Sequence, residues 1–425
     1  MNTAIGLCQT TPPTDTKPQS TLLWRLSALG IWITGVVFRI YPSGSTRLGF
    51  DENLYRTYVN MLRMAGLFRY PEIVASYIST QRGLPSSILP PMRFSYIFCG
   101  YLWTEISARD TLVALHDVAC FFSILSLTLA FVFAVRLAGR ATGLAVLALV
   151  ACAPTQIHMS QHALVDGIFS FWALLVIWML WENLRQPNHP GWLAAYAAAF
   201  AVMVLTKENA FFVFVAVAGI LAANRWAGFG RVTPRLLLVT FCGPLAGVLT
   251  LVLLAGGPAN LLEAYHLSVT KNLVLPYAIH TGDGPWYRYM VDLFLVSPII
   301  LILAIGELFK LNAGKKPQLY LLCFITFSYA VMANIKYGMN LRYANMCDMP
   351  LRVLAFANVA CLAEYFGNRR CLVLVLAVAA LCAFDLHQYY VFFDRHSDAG
   401  GLYELITEEL MRAVKILKLT PPMPK

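Results

Sequence analysis

The stretch Phe50-Asp51-Glu52-Asn53-Leu54-Tyr55 comes shortly after the first long apolar segment of the chain, residues 22–41. It places two adjacent carboxylates at the boundary of a segment that is long enough to cross a bilayer. Charged side chains at such a boundary are costly unless they face water, a cation or a substrate. The stretch therefore predicts a membrane fold and provides the first candidate catalytic residues.

The composition of the chain supports a membrane protein. Of the 425 residues, 59% are hydrophobic and 13% are charged, whereas soluble domains carry about 25% charged residues. The net charge of +10 does not indicate nucleic-acid binding, because the basic residues fall in short loops between apolar segments. The ten cysteines form no CxxC pair and lie mostly in apolar segments, which predicts buried side chains rather than a metal or disulfide framework.

Apolar segments divide the chain into an all-α polytopic domain. Eleven of them are predicted to be transmembrane helices: 22–41, 111–135, 141–157, 163–182, 191–206, 209–224, 236–256, 288–309, 318–335, 349–366 and 371–391. The shorter stretch 92–104 predicts an interfacial or re-entrant helix. We expect a disordered cytoplasmic tail at 1–21, a transmembrane domain at 22–393 and an amphipathic C-terminal tail at 394–425. The first extracytoplasmic loop, 42–110, is expected to carry interfacial helices.

The loop charges orient this domain. If the N-terminus is cytoplasmic, the inner loops hold eleven basic residues: Arg136, Arg140, Arg185, Arg225, Arg231, Arg235, Lys310, Lys315, Lys316, Arg369 and Arg370. The short outer loops then hold four, which are Lys207, Lys271, Lys336 and Arg342. This bias is the one that the positive-inside rule requires. Arg39, near the end of the first segment, is expected to snorkel to the membrane surface.

With this orientation, the unusual polar residues collect on the outer side. They are Asp51, Glu52, His158, Gln161, His162, Asp166, Lys207, Glu208, His266, Lys271, His280, Asp283, Lys336, Arg342 and Tyr343. Carboxylates beside cations suit a reaction in which a carboxylate removes a proton while cations stabilise a departing phosphate. The sequence therefore predicts an active site at the outer membrane boundary.

Two of these features have simpler interpretations, and a third does not. Lys207 and Glu208 equally fit a local ion pair across a short turn. His158 and His162 have a spacing that can bind a metal, but polar loop histidines are the favoured interpretation. Asp166 stands at the edge of an apolar segment, and a carboxylate there is a functional candidate by default.

The order of motifs along the chain is distinctive. In sequence they are Asp51-Glu52 followed by Tyr55, Pro90-Pro91-Met92, Arg136-Leu137-Ala138-Gly139-Arg140, Pro154 before Ser160-Gln161-His162-Ala163-Leu164-Val165-Asp166, Leu205-Thr206-Lys207, Gly284-Pro285-Trp286-Tyr287-Arg288-Tyr289, and Arg342-Tyr343 before Pro350. This order resembles the membrane glycosyltransferases of the GT-C fold. The resemblance is to the family 39-like branch, which contains protein O-mannosyltransferases, the lipid A aminoarabinose transferase and Rgt-type sugar transferases. It covers residues from about 30 to about 365.

The resemblance implies a sugar donor linked to polyprenyl phosphate, an inverting reaction and a lipid, glycan or protein acceptor. It implies that Asp51 is the base, that Glu52 and Asp166 shape the site or bind a cation, and that Lys207 and Arg342 bind phosphate. Further substrate-binding residues would be Tyr55, His162, Tyr287 and Tyr343. It also implies a bacterial plasma membrane. His162 replaces the basic residue usual in the family, and the need for a divalent cation stays open.

Two alternatives belong to other functional classes. A transporter or flippase of lipid-linked sugars would share a polar site, but it should show internal repeats and charges deep on several helices. A structural membrane protein without catalysis would leave the clustering of carboxylates and cations unexplained. The acidic pair in a loop favours the glycosyltransferase.

The charge bias of the loops predicts opposite sides of the membrane for Ser86, in the first outer loop, and Gly314, in an inner loop. Single cysteines at these positions should react with a membrane-impermeant thiol reagent from opposite sides of sealed vesicles. Labelling of both from the same side would contradict the topology.

Overall fold

The computed structural model describes residues 18–41, 49–282, 284–335, 339–395 and 402–416. These residues form helices and connecting loops, with no strand among them, which confirms the all-α fold class. The predictions for residues 1–17, Asp283 and Lys336, and for the side chain of His280, lie outside this description.

The helices follow the apolar segments closely. They are α1 (Pro18–Ile40), α2 (Phe50–Ala65), α3 (Tyr70–Gly83), α4 (Phe94–Ser107), α5 (Thr111–Ala138), α6 (Arg140–Ala151), α7 (Pro154–Ser160), α8 (Asp166–Arg185), α9 (Pro190–Thr206), α10 (Ala210–Ala227), α11 (Pro234–Leu254), α12 (Pro258–Asn272), α13 (Pro276–Thr281), α14 (Arg288–Val296), α15 (Pro298–Leu308), α16 (Lys316–Met332), α17 (Leu341–Ala344), α18 (Asp348–Ala363), α19 (Arg370–Tyr389) and α20 (Leu402–Ile416). Many of them begin at proline, whose fixed φ suits the first helical turn and whose missing N–H costs nothing there.

The multi-pass membrane architecture is confirmed. By length and composition, six helices in the described residues can cross a membrane, or seven if the bent pair α6 and α7 counts as one. Each of the eleven predicted segments contains a helix or a pair of helices. The count of eleven spans stays a prediction, because several of these helices are too short to cross a bilayer upright. Helix α4 has 14 residues, as the half-length stretch 92–104 predicted.

The segment predicted to be the first outer loop folds into α2, α3 and α4, which have a core of their own. Tyr55, Val59 and Tyr96 are fully buried in it. Helix α4 approaches α5 so closely at Gly100 that an added Cβ would lie 2.5 Å from the Leu115 side chain. This packing anchors α2 on α5, and so it fixes the position of the carboxylates at the start of α2.

Arg39 does not snorkel, contrary to the prediction. It is 2% exposed and donates to Ser123 Oγ at 2.9 Å and to the Val150 carbonyl at 3.0 Å. Helix α6 ends at Ala151, where carbonyls lack an intrahelical partner. The guanidinium satisfies these carbonyls, and this explains why it faces the protein rather than the membrane surface.

The C-terminal segment contains helix α20, which packs against the protein. Thr407 is fully buried and donates to Asp292 Oδ1 of α14 at 2.6 Å. Met411 is buried too, and Ile406 is partly buried against the core, whereas Leu410 is exposed. Helix α20 therefore lies against α14.

A second buried arginine joins α18 to α19. Arg352 is fully buried, with its Nε 3.0 Å from Asp348 Oδ1 and its Nη1 2.6 Å from Asp385 Oδ2. Removing one partner of a buried charge network leaves the other charges unpaired in a low dielectric. The network therefore stabilises the fold mainly as a complete unit.

We expect Arg352→Met to lower the free energy of unfolding by about 3–5 kcal/mol, because it strands two buried carboxylates. Thermal unfolding in detergent measures the change, and Asp385→Asn in the same chain should recover part of it. The control Arg412→Met, on the exposed surface of α20, should change stability by less than about 0.5 kcal/mol. An Arg352→Met protein as stable as the wild type would contradict this role.

Candidate active site

The two adjacent carboxylates occupy the first turn of α2, where the helix dipole favours negative charge. Adjacent residues of a helix do not share a face, and the exposure of these two side chains differs accordingly. The Glu52 side chain is 3% exposed, whereas that of Asp51 is 33% exposed. Glu52 Oε2 accepts from the Gly49 N–H at 2.8 Å, as in a capping box. Asp51 is thus the carboxylate that a substrate can reach.

Glu52 joins α2 to the loop between α7 and α8. Its Oε1 accepts from the Ala163 N–H at 2.8 Å and lies 3.2 Å from His162 Nδ1. His116 Nε2 is 3.8 Å from the same oxygen. Burial by itself raises the pKa of Glu52, but the hydrogen bonds from His162, Gly49 and Ala163 outweigh it and lower the pKa to about 2. Glu52 is therefore ionised at neutral pH with both oxygens engaged.

Lys207 forms a buried ion pair with Asp166. The Nζ–Oδ1 distance is 2.5 Å, and the two side chains are 1% and 5% exposed. Lys207 Nζ also lies 3.8 Å from the centroid of the Tyr343 ring, in a cation–π contact. Burial lowers the pKa of Lys207 to about 8, although Asp166 opposes this shift. The pair connects the start of α8, the end of α9 and α17.

The predicted local ion pair between Lys207 and Glu208 is wrong. Lys207 follows the end of α9 in an extended conformation, with φ −163° and ψ 147°. Successive side chains of extended backbone point in opposite directions, so Lys207 and Glu208 separate. Glu208 instead accepts from Arg93, with Nη2–Oε1 at 2.5 Å and Nε–Oε2 at 3.2 Å.

Arg93 is a site residue that the sequence analysis missed. It is 6% exposed, and its Nη1 donates to the Tyr55 hydroxyl at 2.6 Å. Burial raises the pKa of that hydroxyl, and nearby Asp51 and Asp166 add to the shift. The available signal was a cation directly after Pro90-Pro91-Met92, at the start of an apolar helix.

Arg342 faces Asp51 across the site. Its Nη1 is 3.7 Å from Asp51 Oδ2, and the side chains are 18% and 33% exposed. Asn340 Oδ1 accepts from the Arg342 backbone N–H at 2.9 Å and lies 3.3 Å from Arg342 Nε. The structure therefore brings together the predicted residues Asp51, Asp166, Lys207, Arg342, Tyr343 and Tyr55, and it adds Arg93.

Two predicted residues have other surroundings. Tyr287 is half-buried at the start of α14, with its ring centroid 5.7 Å from that of Trp286. His162 is partly exposed and contacts Glu52 and the His158 ring, whose centroid is 4.4 Å away. His162 therefore contacts the site through Glu52.

The donor set does not fit a resident divalent cation. Within the described ranges, no three His, Cys, Asp or Glu residues are grouped so that they could bind a metal. Asp51 and Asp166, the acids nearest the site, are already paired with Arg342 and Lys207. Basic side chains thus occupy the places that a cation would take.

Known proteins share features with this chain. Residues 98–266, less than half of the chain, match the family model of dolichyl-phosphate-mannose-protein mannosyltransferase. No curated protein matches the chain. The crystal structure of ArnT from Cupriavidus metallidurans in the apo state is similar, with a TM-score of 0.51 and 14% identity, over 96% of this chain and 81% of that chain.

Archaeoglobus fulgidus oligosaccharyltransferase structures are also similar. Its complex with Zn and sulfate gives a TM-score of 0.57 at 13% identity, over 85% of this chain and 53% of that one. Its AglB in complex with an inhibitory peptide and a dolichol-phosphate gives 0.56 at 12% identity, over 96% and 59%. This chain spans little more than half the length of these archaeal proteins. At such identities, the likenesses establish the fold.

We expect Glu52→Gln to destabilise the protein by on the order of 3 kcal/mol near neutral pH, since about 1.4 kcal/mol accompanies each unit of pKa shift. The folded pKa of Glu52 is lowered, so its contribution is present above about pH 4.5 and is lost as pH falls toward 2. Unfolding measured at several pH values should show the two proteins converging in acid. The control Glu105→Gln, an exposed partner of Arg63, should behave as the wild type at each pH. A constant difference between wild type and Glu52→Gln would contradict the shifted pKa.

Proposed function

We propose that this chain is a membrane glycosyltransferase. Its motifs predict the GT-C fold and this enzyme class, the solved structures show the fold, and the partial match to the mannosyltransferase family model supports the class. The chain transfers a sugar from a polyprenyl-phosphate donor to an acceptor hydroxyl on the outer side of the membrane. The observation that carries the proposal is the partly exposed carboxylate of Asp51, which lies 3.7 Å from Arg342 in a site that also contains the cations Arg93 and Lys207.

Lys207 and Arg342 bind the donor phosphate. Arg342 is partly exposed beside Asp51, and the buried Lys207 contacts Tyr343, the residue next to Arg342. Charge-assisted hydrogen bonds to phosphate are among the strongest available. The lowered pKa of Lys207 still leaves it mostly protonated at neutral pH. A lipid phosphate is supported by the dolichol-phosphate complex of the structurally similar AglB.

Asp51 accepts the proton of the acceptor. The acceptor oxygen attacks the anomeric carbon, the bond from that carbon to the phosphate oxygen breaks, and the acceptor proton moves to the Asp51 carboxylate. Polyprenyl phosphate leaves with the bonding electron pair, and the cations stabilise its added negative charge. A single displacement of this kind inverts the anomeric carbon.

Glu52 and Asp166 act by positioning. Glu52 fixes the start of α2, and with it the direction of Asp51. Asp166 orients Lys207 toward the Tyr343 ring. Tyr343 contacts Lys207, and the Tyr55 hydroxyl accepts from Arg93, so these two tyrosines complete the site, whereas Tyr287 and His162 lie in other surroundings. The charge bias of the loops supports a cytoplasmic N-terminus in a bacterial plasma membrane, with this site outside.

Replacing Asp51 by Asn should lower transfer by about 10²–10⁴-fold, the usual effect of losing a positioned base. The assay measures release of polyprenyl phosphate from a panel of polyprenyl-phosphate hexoses and pentoses in reconstituted vesicles. Lys207→Met should lose donor binding instead, which appears as a raised KM or as no turnover.

The matched control is Asp117→Asn. Asp117 pairs with Arg109 on the same side of the molecule but away from the site, at 3.0 Å, and its loss should leave turnover unchanged. Full turnover by Asp51→Asn would exclude Asp51 as the base. Absence of turnover by the wild type with every donor in the panel would contradict the reaction itself.

A further inference from the structure

Three ion pairs meet at the candidate site, and they differ in strength. Lys207–Asp166 is buried and short, at 2.5 Å. Arg93 is buried and contacts both carboxylate oxygens of Glu208 as well as the Tyr55 hydroxyl, although the Glu208 side chain itself is exposed. Arg342–Asp51 has a single contact at 3.7 Å and is partly exposed on both sides. Breaking a buried or two-point pair is costly, whereas a long, partly exposed single contact contributes little.

An incoming phosphate therefore meets one pair that separates at little cost. Taking Lys207 away from Asp166 would strand a buried carboxylate, and taking Arg93 away from Glu208 would break a two-point contact. Turning the Arg342 Nη1 from Asp51 toward a phosphate gives up a single contact of 3.7 Å. Asn340 accepts from the Arg342 N–H and lies 3.3 Å from its Nε, so it keeps the residue beside the site during this movement.

We propose, on the basis of the proposed function, that the donor phosphate takes the place of the Asp51 carboxylate on Arg342 and thereby activates the base. In the resting protein, Arg342 is paired with Asp51. After donor binding, Arg342 is paired with the phosphate, and Asp51 is released to face the acceptor.

The exchange has a chemical consequence for Asp51. While the Asp51 carboxylate contacts Arg342, it faces the guanidinium rather than an acceptor hydroxyl. Donor binding releases it, so that an acceptor arriving next meets a carboxylate that can accept its proton. The order of binding follows, with the donor first and the acceptor second.

The charges also balance during transfer. As the sugar leaves the phosphate, the phosphate gains one negative charge, and Asp51 loses one by taking up the acceptor proton. The summed charge of the site is unchanged, and the negative charge moves from Asp51 to the group that Arg342 now contacts. Arg342 thus contacts Asp51 before the exchange and the phosphate after it.

The test is the affinity of the purified protein for polyprenyl phosphate, which carries the same phosphate group and cannot donate a sugar. Asp51→Asn should bind it about two- to fivefold more tightly than the wild type, because an exposed pair worth up to about 1 kcal/mol no longer competes. In an Arg342→Gln background, Asp51→Asn should have no effect, and this double-mutant cycle isolates the exchange. Asp51→Ala provides a second variant if Asp51→Asn is poorly folded.

Each outcome of this test either supports or overturns the proposed exchange. Unchanged or weaker binding by Asp51→Asn would overturn it, as would tighter binding that persists without Arg342. Tightening by Glu208→Gln in place of Asp51→Asn would assign the exchange to Arg93 and also overturn it. Asp117→Asn should bind as the wild type. The proposed function fails separately, when the wild type transfers no sugar, or when Asp51→Asn transfers it normally.

Discussion

The buried ion pair between Lys207 and Asp166 is the constraint on which the site depends. It connects the start of α8 to the end of α9, and Tyr343 covers the ammonium group. A pair so far from water is tolerated only with close geometry and further partners. The short distance and the aromatic ring meet that requirement. Because these helices are long and packed, the pair also fixes where α17 and its Arg342 can lie.

Glu52 provides the second constraint, on the opposite side of the site. Its ionised carboxylate accepts backbone N–H groups from Gly49 and Ala163, and it therefore determines how α2 begins. Because Glu52 faces inward, the side chain of the adjacent Asp51 faces outward. The pair of adjacent acids thus divides into a residue that positions and a residue that reacts. Such a division is expected wherever neighbours occupy one helical turn.

Much of the fold was predictable because hydropathy marks membrane helices directly. The apolar segments all became helices, and the convergence of Asp51, Asp166, Lys207 and Arg342 followed from loop alternation. Hydropathy cannot tell whether a helix face meets lipid or protein. For that reason Arg39, predicted at the membrane surface, proved to be buried against the end of α6, and Arg93 was missed. An ion pair between Lys207 and Glu208 was one interpretation because the two residues are adjacent. The extended backbone at Lys207 instead directs their side chains apart.

The candidate site contains three basic residues, each beside a carboxylate. Lysine and arginine side chains supply positive charge without needing carboxylate ligands. The carboxylates of the site can therefore hold these side chains in position. Asp166 keeps Lys207 in place, and Glu208 does the same for Arg93. Asp51 alone among these acids has a long, partly exposed contact with its cation. The strength of each pair therefore separates the acids that maintain the site from the acid that can change partner during the reaction.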